Sequence, residues 1–221
     1  MGEKSRNTEQ AKHQSGIAKG KRGDGKAQIL RCALAEFSTK GYSGATTAGI
    51  AKKAGLTQPL VHHHFSSKEQ LWRAVLDQLH SDYERMINEV LQASEGLTIV
   101  EQLRVRLKGF IRFTASHSEF SRIVAFESAI GGSTYDYLYD NYLGPEFSML
   151  QELLSQAKRA GLIGDIDLGL FSFLVSGAST HLFVVAETAR RAIKVEPLDL
   201  DIADRYGDMV ADILIKGMSK N

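Results

Sequence analysis

Residues 46–65 read TTAGIAKKAGLTQPLVHHHF, and this stretch decides the fold. Thr46 or Thr47 can accept hydrogen bonds from the free amides that open a helix. Ile50, Ala51 and Ala54 then recur at helical spacing, and Gly55 supplies the left-handed residue that ends the helix after barely two turns. Thr57 caps a second short helix, Pro59 falls in its first turn where a missing N–H costs nothing, and Val61 and Phe65 form its inward face. Two short helices joined by a tight glycine turn make a helix-turn-helix, a unit whose second helix can enter a DNA major groove. At about 100° per residue from Val61, the side chains of Gln58, Pro59, His62 and His63 point away from the core. Glutamine can bond two atoms of adenine at once, and histidine can donate to guanine or to phosphate.

Working outward, Ile29, Leu30, Ala33, Leu34 and Phe37 form a helical stripe that stops at Gly41. On the other side Ser67 opens a long helix with Leu71, Trp72, Val75, Leu76, Leu79, Tyr83, Met86, Ile87, Val90 and Leu91 in phase. Further helices are expected near 98–115, 118–130, 136–160, 167–191 and 200–217. Only three prolines interrupt the chain and no β-branched alternation appears, so the fold class is all-α. Three segments follow: a flexible basic arm over 1–25, a three-helix domain over 26–72 and a larger helical bundle over 73–221. The arm's SGIAKGKRGDG resembles a phosphate-binding loop only superficially. Ser15 and Arg22 stand where the loop needs Gly and Ser or Thr, and no strand precedes it.

The charge distribution supports two modules with different partners. Residues 1–78 hold 13 Lys and Arg against 6 Asp and Glu, while residues 79–221 hold 14 against 20. A basic N-terminal third suits a polyanion, because Lys and Arg beside phosphates release counterions.

The longer stretch GYSGATTAGIAKKAGLTQPLVHHHFSSKEQLW resembles the signature of the TetR family of transcriptional regulators, with the tight match over about residues 26–75. Gly41, Tyr42, Thr46, Ile50, Ala51, Ala54, Gly55, Phe65, Lys68 and Glu69 fill the family's places. The resemblance implies a homodimer that binds double-stranded operator DNA in the cytoplasm and leaves it when a small ligand binds. It implies that Thr46 and Thr47 bond phosphates, that Gln58, Pro59, His62 and His63 meet base edges, and that His64 and Lys68 touch the DNA backbone. Thr57, at the head of the same helix, belongs to the same surface. His62 stands where the family usually has Tyr, and Ala48 and Gly49 stand where a charged side chain is common.

The C-terminal bundle is rich in aromatic residues able to line a pocket for a small, partly apolar ligand, among them Phe110, Phe113, Phe126 and Tyr142. The resemblance places that pocket between the linker helix and the following helices, with His117, Arg122 and Glu127 as polar anchors. Residues 168–186 contain no Lys, Arg, Asp or Glu. Ser172, Ser176, Ser179, Thr180 and His181 interrupt the run, so we read it as buried between subunits rather than across a membrane. Phe171, Leu174, Ala178, Leu182 and Val185 are expected to meet Tyr206, Met209, Val210 and Ile213 in the dimer.

No metal, cofactor or catalytic set is expected. Three consecutive histidines on a helix diverge by about 100° each and cannot converge on one ion. The single Cys32 cannot form an internal disulfide. His80, His117 and His181 stand alone, without a nucleophile and base at recognisable spacing. An effector-independent DNA-binding regulator and, more remotely, a helical-bundle enzyme are the competing readings.

Overall fold

The computed structural model describes residues 25–219, and the expected arm over 1–25 lies almost wholly outside them. Among the described residues the regular structure is helical, apart from one isolated antiparallel bridge between Ile163 and Ser219. The elements are α1 (25–44), α2 (Thr47–Lys53), α3 (Gln58–His64), α4 (Lys68–Ala93), α5 (Ile99–Ser116) and α6 (Ser118–Ile130). Then follow α7 (Ser133–Leu138), a π-helical turn (Tyr139–Leu143), α8 (Gly144–Arg159), α9 (Leu168–Val184), α10 (Ala186–Ile193) and α11 (Leu200–Met218). The chain divides into two compact units at Val75/Leu76, within α4.

The first unit forms as its caps and glycines dictate. Thr46 Oγ1 accepts the Gly49 amide at 3.0 Å and so starts α2. Gly55, at φ 63°, ends it: the Gly55 amide donates to Lys52 O at 3.2 Å and the Leu56 amide to Ala51 O at 2.9 Å. That pair of bonds satisfies carbonyls the helix end would otherwise leave free. Ile29, Phe37, Ile50, Val61, Leu71 and Trp72 are buried. Phe37 and Tyr42 meet the Trp72 ring edge-on at centroid distances of 4.9 and 5.5 Å. Gln28 Nε2 donates to Ala54 O at 2.7 Å, fastening the end of α2 to α1.

The second unit is built on α5 and α11, which pack side by side around Ile111, Ala115, Phe183, Ala203, Val210 and Leu214. Along their seam Arg104, Lys108 and Arg112 pair with Asp212, Asp208 and Asp204. Residues four apart on one helix meet residues four apart on an antiparallel neighbour, which makes a ladder that sets register. Its exposed pairs contribute about 0–1 kcal/mol each. A second cluster joins Leu103, Leu153, Leu154, Ala157, Ile163, Ala211, Ile215 and Met218.

Two expected helices are broken. The segment expected as one helix over 136–160 contains the π-helical turn, closed by the Gly144 amide donating to Tyr139 O. Pro145 has no amide to continue the regular pattern, and a Cβ at Gly144 would come within 3.1 Å of Tyr139 O. The segment expected over 167–191 bends by 76° between α9 and α10, at Val185, where no Gly or Pro announces the break. Among the described residues no single helix is long and apolar enough to cross a membrane. The buried Ser172 and Ser179 hydroxyls donate within α9 to Leu168 O and Val175 O at 2.7 Å.

Candidate nucleic-acid interface and ligand cavity

The helix-turn-helix presents a connected polar row. Gln58, in the first turn of α3, donates from Nε2 to Thr47 Oγ1 at 3.3 Å, and the same nitrogen lies 3.3 Å from His62 Nε2. Thr46, Thr57, Gln58, Pro59, His62 and His63 are exposed, and Thr47 is half-buried. Thr57 occupies the cap position of α3 without a side-chain capping bond. Thr47, Gln58 and His62 therefore stand together on the surface, with Val61 and Phe65 of the same segment buried. Short amide and hydroxyl groups braced against each other lose little side-chain freedom on meeting a base edge.

His64 and Lys68 differ from the rest of the row. His64 is half-buried, its ring 5.5 Å from that of His63. The Lys68 ammonium donates to the carbonyl oxygens of Tyr42 and Ala45 at 2.9 and 3.1 Å and lies 4.4 Å from the centre of the Tyr42 ring. At least two of its three donors are committed inside the domain, where they tie the start of α4 to the end of α1. Gly49, where a charged side chain is common in the family, is also explained. A Cβ there would lie 3.0 Å from Thr46 Oγ1 and 3.2 Å from Glu36 Oε1. Glu36 is a buried carboxylate paired with Lys40 and Lys53; the hydrogen bond from Lys40 holds its carboxyl below the usual range, against the opposing effect of burial.

The second unit contains a cavity of about 340 Å³. Its walls come from α4 (Leu79, His80, Tyr83, Ile87), α5 (Leu103, Arg106, Phe110, Phe113), α6, the π-helical turn, α8, α9 and α11. The lining is chiefly apolar, and several of its polar groups are tied together. Tyr83 donates to Glu146 Oε2 at 2.8 Å, Tyr142 donates to Asp77 Oδ1 at 2.6 Å, and the His80 ring meets Tyr142 edge-on at 5.2 Å. Burial raises the pKa of both tyrosines, with the neighbouring carboxylates pushing the same way. Burial also raises that of Glu146, although the Tyr83 bond and the charges of His80 and Arg106 pull it down.

Of the expected pocket residues, Phe110, Phe113 and Tyr142 line the cavity, whereas His117, Arg122, Phe126 and Glu127 do not. The reason is the rotation of α6, which turns Phe120, Ser121, Val124 and Ala125 toward the cavity. Arg122 instead donates to Ser118 Oγ at 3.2 Å, Phe126 is exposed, and Glu127 is buried off the cavity. His117 ends α5, with Nδ1 3.2 Å from Phe113 O. Tyr83, Arg106 and Glu146 were missed, yet the sequence carried a signal for two of them. Arg106 falls in phase with Leu103, Phe110 and Phe113, and Glu146 with Tyr142, Met149 and Leu153, so each is a charge on an otherwise apolar stripe.

Among the residues expected in a dimer, Leu174, Met209 and Ile213 are exposed. Val210 is buried in its own chain, and Tyr206 donates to Ala178 O at 2.6 Å. Phe171, Ala178, Leu182 and Val185 are half-buried. Leu170 and Phe173 are more exposed than any of them, at 73% and 70%. No group of three or more metal-ligating side chains occurs among the described residues.

Residues 29–75 match the family of bacterial regulatory proteins, tetR family. The transcriptional activator FasR of Mycolicibacterium smegmatis is 31% identical over 137 residues, which are 62% of this chain and 58% of FasR. Two solved structures share the fold. The regulator FadR of Bacillus subtilis, in complex with stearoyl-CoA, superposes with a TM-score of 0.64 at 18% identity, over 87% of this chain and 98% of that one. AibR, in complex with isovaleryl coenzyme A and operator DNA, does so with a TM-score of 0.66 at 21% identity, over 88% and 98%. Together with the helix-turn-helix built by α2 and α3, these matches show a DNA-binding domain of the tetR-family type over residues 29–75.

Proposed function

We propose that this chain is a cytoplasmic, homodimeric transcriptional repressor whose grip on operator DNA is released by a small ligand bound in the second unit. The observation that carries the reading is α4. Its Leu79, His80, Tyr83 and Ile87 line the cavity, while its first turn, through Lys68, is fastened to the helix-turn-helix domain. A ligand that favours one position of α4 therefore biases the placement of two recognition helices that must sit one DNA turn apart, about 34 Å. The complexes named for FadR and AibR support an acyl-type effector, and that of AibR supports DNA and ligand acting on one protein. In the dimer the exposed Leu170, Phe173, Leu174, Met209 and Ile213 of α9 and α11 meet their copies, since an apolar face of that extent is unusual on a monomer.

The test is to select the operator from a random DNA pool and measure its affinity by fluorescence anisotropy with and without acyl ligands. Weakened binding with ligand supports release. Unchanged binding favours an effector-independent regulator, and tighter binding favours a ligand-dependent activator, the sign that FasR's name carries.

A further inference from the structure

The cavity lining includes one arginine, half-buried, whose buried Nε has no hydrogen-bond partner. Arg106, on α5, lines the cavity, and its Nε is buried without any hydrogen-bond partner. Its Nη1 donates only to a thioether, Met149 Sδ, at 3.2 Å. The Glu146 carboxylate is near enough to feel the Arg106 charge but leaves this Nε without a hydrogen bond. Glu146 lies on the same wall, but its Oε2 is taken by Tyr83. A guanidinium offers five donors in a planar fork matched to a carboxylate, and its buried Nε is costly to leave unpaired. The neighbouring Met149 is 44% exposed, so this cation sits where the cavity wall reaches the surface. Beyond it the lining is apolar: Leu103, Leu153, Leu154, Phe171 and Val175.

We propose that the effector is an amphipathic monocarboxylate whose carboxylate pairs with Arg106 and whose unbranched aliphatic tail fills the apolar part of the cavity. The assignment rests on the cavity being the effector site. The cavity volume of 340 Å³ sets the size. That lies near the small end of the range for small-molecule sites, about 300–1,000 Å³, and suits a medium-chain acid such as decanoate. At the acyl carbon a coenzyme A thioester offers one neutral carbonyl in place of a carboxylate, so the free acid is the species we assign, and the thioester is one arm of the test.

Isothermal titration of the full-length protein with decanoate, 1-decanol and decanoyl-CoA tests this. Decanoate is expected to bind at least tenfold tighter than decanol, the difference that hydrogen bonds to a charged group make. Arg106→Met keeps an apolar stem and should bind the acid no better than the alcohol. Arg106→Lys keeps the charge without the fork and should retain part of the preference. Equal binding of acid and alcohol by the wild type overturns the headgroup assignment while leaving the cavity as a ligand site. So does a preference that survives in Arg106→Met, or binding of decanoyl-CoA alone. If none of the three binds, the cavity reading and the assignment fall together. The comparison of acid with alcohol on the wild type decides the matter even if a variant does not fold.

Discussion

Lys68→Met separates two roles that the same residue can hold. Family resemblance makes Lys68 a contact to the DNA backbone; the structure gives its ammonium to the carbonyls of Tyr42 and Ala45 and to the Tyr42 ring. A hydrogen bond to a charged group contributes about 1.5–3 kcal/mol, and an exposed cation over a ring about 0.5–1 kcal/mol. Lys68 is half-buried, so water recovers part of both. A net loss of about 2 kcal/mol remains, which at a urea slope of about 1–3 kcal/mol/M lowers the midpoint by about 1 M. The protein's single tryptophan, Trp72, is buried 5.5 Å from the Tyr42 ring and so reports unfolding of this unit by its fluorescence. The salt dependence of DNA binding supplies the second readout, since each phosphate contact contributes about 0.9 to the slope. We expect a lower urea midpoint with an unchanged slope. An unchanged midpoint with a slope reduced by nearly one would refute the structural role and restore the phosphate contact.

Gln58→Ala and His62→Ala should each weaken binding to the selected operator by about 1–3 kcal/mol and leave random-sequence DNA nearly unaffected; equal losses on both DNAs in a filter-binding assay would remove them from base readout. Phe173→Asp should weaken dimerisation by two orders of magnitude or more, since an uncompensated charge at a buried interface costs about 3 kcal/mol or more. Light scattering across a concentration series checks this, and a wild type monomeric at micromolar concentration would exclude the interface. Glu36, whose carboxyl is held below the usual carboxylate range by Lys40 and Lys53, contributes stability that is fully present above the unfolded value. That contribution disappears as pH falls through the lower folded value. Urea midpoints of wild type and Glu36→Gln should therefore converge as pH falls below the ordinary carboxylate range, and a gap independent of pH would show that the ion pairs are not its source.

The sequence by itself determined whatever depends on neighbours a few residues apart. Thr46, Gly55 and Ser67 mark helix ends because capping is local: one hydroxyl or one positive φ satisfies amides and carbonyls within four residues. The apolar phases of α1 to α4, and the outward face of α3, follow from the 3.6-residue period alone. Tertiary structure decided what depends on which faces meet. Arg122 and Glu127 were plausible pocket anchors by composition, but the rotation of α6 turns Ser121, Val124 and Ala125 inward instead. Tyr83 meets Glu146, and Tyr142 meets Asp77, across more than sixty residues of chain. Lys68 reads as a free cation until the fold brings the Tyr42 and Ala45 carbonyls beside it. The bend at Val185 had no Gly or Pro to announce it. Helix periodicity fixes which side of each helix is apolar to within a residue or so, but one residue is a turn of about 100°, enough to exchange a cavity wall for solvent.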